Sequence, residues 1–301
     1  MSGGRRQHGS KGSRYPSHGG PVAVIVTLAM IAGAVVYYTV SAASGSAAAH
    51  QTTSIHWTTV LQDNFKGKAG SSLDSSWHIY TGPGPGIQRY EASSSVVHVD
   101  GHGHLVITAI KTPQGWVSGE IRTARAYMPA PGQEMRVEST LELPAGGQGY
   151  WPAFWSVAVP ALTDLRTEPM AGEDDFAETI NNDRWIGQFM HCGTSNRAGP
   201  CGAYTLAMYR LSVPSGKSGW HEFSWLWCNK GSNSYVEFFI GSTLQMKITE
   251  RQIGEKYWAL AFDHPYVFIY DVAIGGWPGQ PNNSTALSAS MKVDFIRIQI
   301  S

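Results

Sequence analysis

Met170-Ala-Gly-Glu-Asp-Asp-Phe-Ala-Glu-Thr-Ile180 sets four acidic residues, Glu173, Asp174, Asp175 and Glu178, among apolar and β-branched neighbours. A solvated charge run would be flanked by Lys, Ser or Gly, so an acidic surface turn is the weaker reading. Carboxylates at fixed spacing on a half-buried strand suit general-acid and nucleophile chemistry, because burial and like charge push their pKa values apart. Glu173 and Asp175 are two apart and share one face of a strand. Glu178 is five from Glu173, which on a regular strand sends it to the opposite side. A β-bulge between Asp175 and Glu178 restores the face, and bulges concentrate beside active sites. The expectation is a single cleft carrying three carboxyls.

Outward from this stretch the chain reads as strands and turns. From Ile55 onward, strand-like segments cover Val96–Val99, His104–Ile110, Glu120–Arg125, Met135–Leu143, Trp151–Val157 and Asp175–Ile180. Arg184–Cys192, Tyr204–Arg210, His221–Trp227, Tyr235–Ile240, Val267–Ile274 and Met291–Ile300 continue the series. None carries a convincing long helical period, and many short strands with regular turns imply a sandwich or barrel. Thirty-four glycines and 16 prolines supply the turns, and 11 tryptophans supply aromatic platforms. There is no internal repeat and no sign of a second folded domain.

The formal net charge of zero hides an asymmetry: residues 1–20 carry Arg5, Arg6, Lys11 and Arg14 without an acid. The remaining 18 basic and 22 acidic residues leave the rest of the chain at −4, with no basic patch of the kind nucleic-acid binding needs. Residues 1–20, Gly/Ser-rich and basic, read as a disordered cytoplasmic tail. Pro21 to Val40 is an uncharged apolar run of twenty, long enough to cross a bilayer as one helix. Basic residues before it place the N-terminus inside. Val40-Ser-Ala42 and Ala47-Ala-Ala49 are both candidate cleavage sites, so a cleaved signal and an uncleaved anchor both fit. Residues 41–54 form an Ala/Ser linker. Residues 55–301 then make up the folded domain, extracytoplasmic on either reading, secreted or anchored to the outer face of the membrane.

Glu173-x-Asp175-x-x-Glu178 resembles the signature of family 16 glycoside hydrolases, the laminarinase and lichenase group. Gly149-Tyr-Trp-Pro-Ala-Phe-Trp155 resembles the family's strand ahead of the catalytic one, and Val117-Ser-Gly-Glu-Ile-Arg-Thr123 its Ser-Gly-x-Ile-x-Thr segment. Asp263-His-Pro265, Val272-Ala-Ile-Gly-Gly-Trp-Pro-Gly279 and Val293-Asp-Phe-Ile-Arg-Ile298 follow in family order, so the resemblance spans roughly residues 57 to 300. It implies an all-β, concanavalin-like jelly-roll sandwich of two curved antiparallel sheets with a cleft on the concave face. It further implies a retaining endo-acting hydrolase of β-linked polysaccharide, with laminarin-like β-1,3-glucan the favoured substrate. Glu173 is then the nucleophile, Glu178 the acid/base and Asp175 the residue that holds the nucleophile. A cell-wall glycan transglycosylase uses the same residues. A non-catalytic carbohydrate-binding sandwich is the rival class, but three converging carboxylates would only destabilise it. Mixed-linkage glucan, agarose and carrageenan stay open as substrates.

Trp151 and Trp155 share a strand face, where indole rings stack on sugars. Trp277, Gln88, Tyr90 and His191 are the further substrate-binding candidates, on their positions in the resembling segments. Gly86-Ile87 replaces the acidic residue the family carries before the Gln88 and Tyr90 pair. Asp271 stands where relatives often have Asn, a change expected to alter local hydrogen bonding. The resemblance also implies a structural calcium at Asp63, Gly101 and Asp294; otherwise no cofactor is required. Cys192 and Cys201 close a short loop, which in an extracytoplasmic protein favours a disulfide adding about 2–3 kcal/mol; Cys228 is left as a buried thiol. The partner is a polysaccharide, with no nucleic acid, membrane contact only through residues 21–40, and a monomeric state.

Overall fold

Alternation of apolar and polar side chains builds the framework. In Glu134–Glu142, Met135, Val137, Ser139 and Leu141 are buried while Arg136, Glu138, Thr140 and Glu142 are half-buried, the period of two expected of a strand. Tyr266–Ile274 is buried along its whole length, and its one charged residue is Asp271. The structure, a computed structural model, describes residues 55–164, 167, 169–181, 185–193, 211–212 and 219–301. The basic tail, the Pro21–Val40 run, the linker 41–54, the Tyr204–Arg210 segment and Cys201 lie outside the described residues. Among those described, no helix is long and apolar enough to cross a membrane.

Two sheets make the domain. The seven-stranded sheet runs Leu211–Ser212, Trp185–His191, Glu173–Glu178, Tyr150–Ala158, Tyr266–Ile274, Glu120–Thr123 and Trp77–Ile79, every pair antiparallel. The other sheet has eleven strands, with His221–Cys228, Glu134–Glu142, Ser288–Ile300 and Leu105–Thr112 at its centre. It departs from the antiparallel expectation once, where Gln88–Tyr90 runs parallel to Gly115–Ser118. Aromatic rings fill the space between the sheets. Phe154 stacks on Tyr270 at 4.4 Å, and Phe176 packs against Phe154, Trp225, Phe238 and Phe268.

The segments read as strands from sequence form strands wherever they are described, with ends displaced by a few residues. Short strands such as Gly82–Pro83 and Gln88–Tyr90 escaped the pattern, since two or three residues carry no period. Among the described residues three short α-helices appear as well, the longest being Glu255–Phe262 at eight residues. Glu250–Ile253 starts on a capping box between Thr249 and Gln252, a local signal stronger than its apolar periodicity.

Candidate active site

The acidic strand Glu173–Glu178 enters after Gly172, whose φ of +90° and lack of a side chain both matter: an added Cβ would lie 2.0 Å from the Tyr266 hydroxyl. Along the strand, Trp155 stands opposite Asp175, Phe154 opposite Ala177 and Ala153 opposite Glu178, so Phe176 is the extra residue of a bulge. The other neighbour shows the same shift, Asp175 facing Phe189 and Glu178 facing Gly187. Glu178 is thereby returned to the face of Glu173 and Asp175, and all three line a cleft of about 570 Å³. Asn181, at φ 56°, fixes the strand's exit: its Oδ1 accepts from the Gly149 amide at 2.8 Å and its Nδ2 donates to the Pro278 carbonyl at 3.0 Å.

The neighbouring strand supplies the aromatic wall. Trp151, Ala153, Trp155 and Val157 alternate onto the cleft while Phe154 turns to the core. Trp151 Nε1 donates to Glu178 Oε1 at 2.5 Å, and Trp155 Nε1 donates to Asp271 Oδ1 at 3.0 Å. Trp277 is half exposed and meets Trp151 edge-on with ring centroids 5.8 Å apart. His191 Nε2 lies 3.0 Å from Asp175 Oδ2 and 3.9 Å from Glu173 Oε1, bridging the two acids from the next strand.

Other expected residues fall elsewhere. Tyr90 reaches the cleft, but its hydroxyl donates to Asp271 Oδ2 at 2.5 Å and its ring is buried. Gln88 does not line the cleft: it is buried, and its Oε1 accepts from the Ile274 amide at 2.9 Å, which ties two strands together. Asp63 accepts from the Phe65 amide and from Trp77 Nε1 at 2.7 and 2.8 Å. Gly101 sits in a turn at φ +85°, and Asp294 is exposed at a bulge of Ser288–Ile300. Cys228 is a free, buried thiol. The bridge expected between Cys192 and Cys201 involves a residue outside those described.

No protein-family model matches the chain. Among solved structures, an endo-1,3-β-glucanase from Streptomyces sioyaensis superposes with a TM-score of 0.75 at 31% identity, covering 81% of this chain and 96% of that one. The chain belongs to glycoside hydrolase family 16. Another solved structure, SCLam, a non-specific endo-β-1,3(4)-glucanase from family GH16, superposes with a TM-score of 0.64 at 23% identity, covering 81% of this chain and 91% of that one. The clotting factor G alpha subunit of Tachypleus tridentatus is 25% identical over 252 residues, 80% of this chain. This chain spans only 34% of that protein's length.

In this family 16 chain the cleft carries more charge than the signature alone announces. Glu120, Arg122 and Asp271 also line it. Arg122 Nε donates to Glu120 Oε1 at 2.6 Å, and its guanidinium lies over the Tyr80 ring at 4.4 Å. The signal for Glu120 and Arg122 was their spacing of two within Val117–Thr123, which puts both on one face; the partners that make them notable lie far off in sequence. Burial first, then the charge of Asp175, pushes Glu178 up to about 8, against lowering by Trp151 and His191. A carboxyl held protonated beside other acids is equipped to donate a proton.

Proposed function

We propose that the chain is a retaining, endo-acting hydrolase of β-1,3-glucan. The observation that carries this is Glu178: a buried carboxyl with a pKa raised to about 8, on one face with Glu173 and Asp175 in a tryptophan-walled cleft. Glu173 attacks the anomeric carbon as the glycosidic oxygen takes the proton of Glu178 and departs. Water, deprotonated by Glu178, then breaks the glycosyl–Glu173 ester with net retention. Asp175, in contact with His191, orients Glu173 and keeps negative charge beside Glu178. Trp151 and Trp155 give flat apolar faces to glucosyl rings. The glucanase titles of the similar structures favour β-1,3-glucan over agarose or carrageenan.

A polymer of this size stays outside the cell, so the domain works there, secreted or anchored through residues 21–40. A structural calcium at Asp63, Gly101 and Asp294 remains part of the proposal. Calcium takes six to eight oxygens, so backbone carbonyls and water would complete its shell; EGTA should then lower the midpoint of thermal unfolding. For substrate, the protein is incubated with laminarin, mixed-linkage glucan, agarose and carrageenan, and the products are separated by chromatography. Laminarin should yield a ladder of oligosaccharides. Products longer than the starting oligosaccharide would instead identify a transglycosylase, and products from a galactan alone would overturn the substrate.

A further inference from the structure

We infer that Asp271 is a positioning residue for the reaction: together with Glu120 it holds one proton, and its charge governs how firmly Glu178 keeps its own. The inference rests on reading Glu178 as the acid/base. Its ground is a row of residues running straight across the sheet. Glu120 stands opposite Asp271, Asp271 opposite Ala153, and Ala153 opposite Glu178. Three carboxyls therefore sit in line on the cleft face, and only a methyl group separates Asp271 from Glu178. Two strand spacings put their Cα atoms about 10 Å apart.

Asp271 is buried and accepts from the Tyr90 hydroxyl and from Trp155 Nε1, one donor to each oxygen. From the adjoining strand it faces Glu120, itself buried, whose Oε1 is held by Arg122. Glu178 faces Asp175, His191 and the Trp151 donor from the remaining side. Among the described residues Arg122 pairs with Glu120 and no salt bridge reaches Asp271, so ionising both acids leaves one negative charge without a counter-charge in a water-poor site. One proton shared between them avoids this. Burial, Glu120 and Glu178 push Asp271 up to about 8, against Tyr90 and Trp155. Glu178 stands at about 8 as well, so the two lose their protons over the same range, in coupled steps.

At an effective dielectric near 20, a unit charge at about 10 Å moves a pKa by about one unit. Trp155 adds a mechanical link, because the indole that Asp271 holds stands opposite Asp175.

The test is the pH dependence of kcat/KM on laminarin for the full chain and its variants. The wild-type alkaline limb should be shallower than a one-proton titration, because each charge formed holds the other proton more firmly. Asp271→Asn removes one of the coupled charges, so its limb should follow a single proton with a midpoint about one unit lower. Glu120→Gln lets Asp271 ionise earlier, which holds the Glu178 proton and moves the limb to higher pH. Tyr90→Phe removes one hydroxyl that favours ionised Asp271; its limb should move down, and it serves if Asp271→Asn does not fold. A merely structural Asp271 would lower kcat/KM equally at every pH. Limbs that superpose on wild type in Glu120→Gln and Tyr90→Phe would overturn the coupling while an inactive Glu178→Gln left the acid/base assignment standing. Activity retained in Glu178→Gln would remove the assignment itself.

Discussion

Asp174 shows what a single residue can cost its own fold. It lies between Glu173 and Asp175, faces the opposite way, and is fully buried with no hydrogen-bond partner for either oxygen among the described residues. Burial, and then the charges of Asp175 and Glu173, hold its pKa well above the usual carboxylate range, so it is a neutral acid in the core. An unsatisfied buried polar group costs about 1–3 kcal/mol. Asp174→Val should therefore raise stability by about that amount in a denaturant titration, with the catalytic face unchanged; a less stable variant would mean that the carboxyl has a partner. Strand parity alone separates Asp174 from its neighbours, so its inward orientation was legible in the sequence, although the four acids first read as one crowd. The Asp271 site was not legible to the same degree. Tyr90 and Asp271 are 181 positions apart, and no local pattern announces a hydrogen bond across that distance.

The bulge is the element that turns sequence into site. The spacing of Glu173, Asp175 and Glu178 required it, and both neighbouring strands register it. Its extra residue, Phe176, sends a ring into the core against Phe154, Trp225, Phe238 and Phe268. Phe176 thus joins the core to the geometry of the cleft, whereas Phe238 lies in the other sheet, in the same core cluster. Phe176→Ala and Phe238→Ala should each cost about 3–5 kcal/mol. Well below the unfolding temperature, Phe176→Ala should lose much of kcat and Phe238→Ala little. Equal losses would show that the bulge does not depend on its anchor. Gln88 marks the limit of reading by position: its side-chain oxygen accepts from the Ile274 backbone, a pairing fixed by how two sheets meet.

At the scale of the molecule, buried carboxyls with raised pKa values set the response to pH. Glu178 and Asp271 are raised to about 8, and Asp174 is raised too. A folded pKa above the unfolded value means the folded state keeps its proton where the unfolded state has lost it. For Glu178 and Asp271 the stability contributed is full below about pH 4 and is lost as pH rises toward 8, by up to about 1.4 kcal/mol per pH unit for each group, and Asp174 acts in the same sense. Asp100 works in the opposite sense: lowered to about 2, chiefly by His104 and two backbone amides against some burial, it adds stability that disappears as pH falls through that value. Unfolding midpoints measured from pH 4 to pH 8 should fall, and Asp174→Val should flatten the fall; a rise over that interval would contradict the protonation of the buried acids.

The sandwich itself was legible because alternating strands write their period into the sequence. Its short edge strands and small helices were not, for they are too brief to show one. The central claim concerns which carboxyl does what, and mutant rescue with an activated aryl glycoside, whose leaving group needs little protonation, tests it most directly. Glu178→Ala should still form the glycosyl-enzyme, and added azide should release a glycosyl azide of retained configuration. Glu173→Ala should form no such intermediate, and azide should give the inverted product. Inverted product from Glu178→Ala and retained product from Glu173→Ala would exchange the two roles, and full hydrolysis of laminarin by either variant would remove that residue from the mechanism.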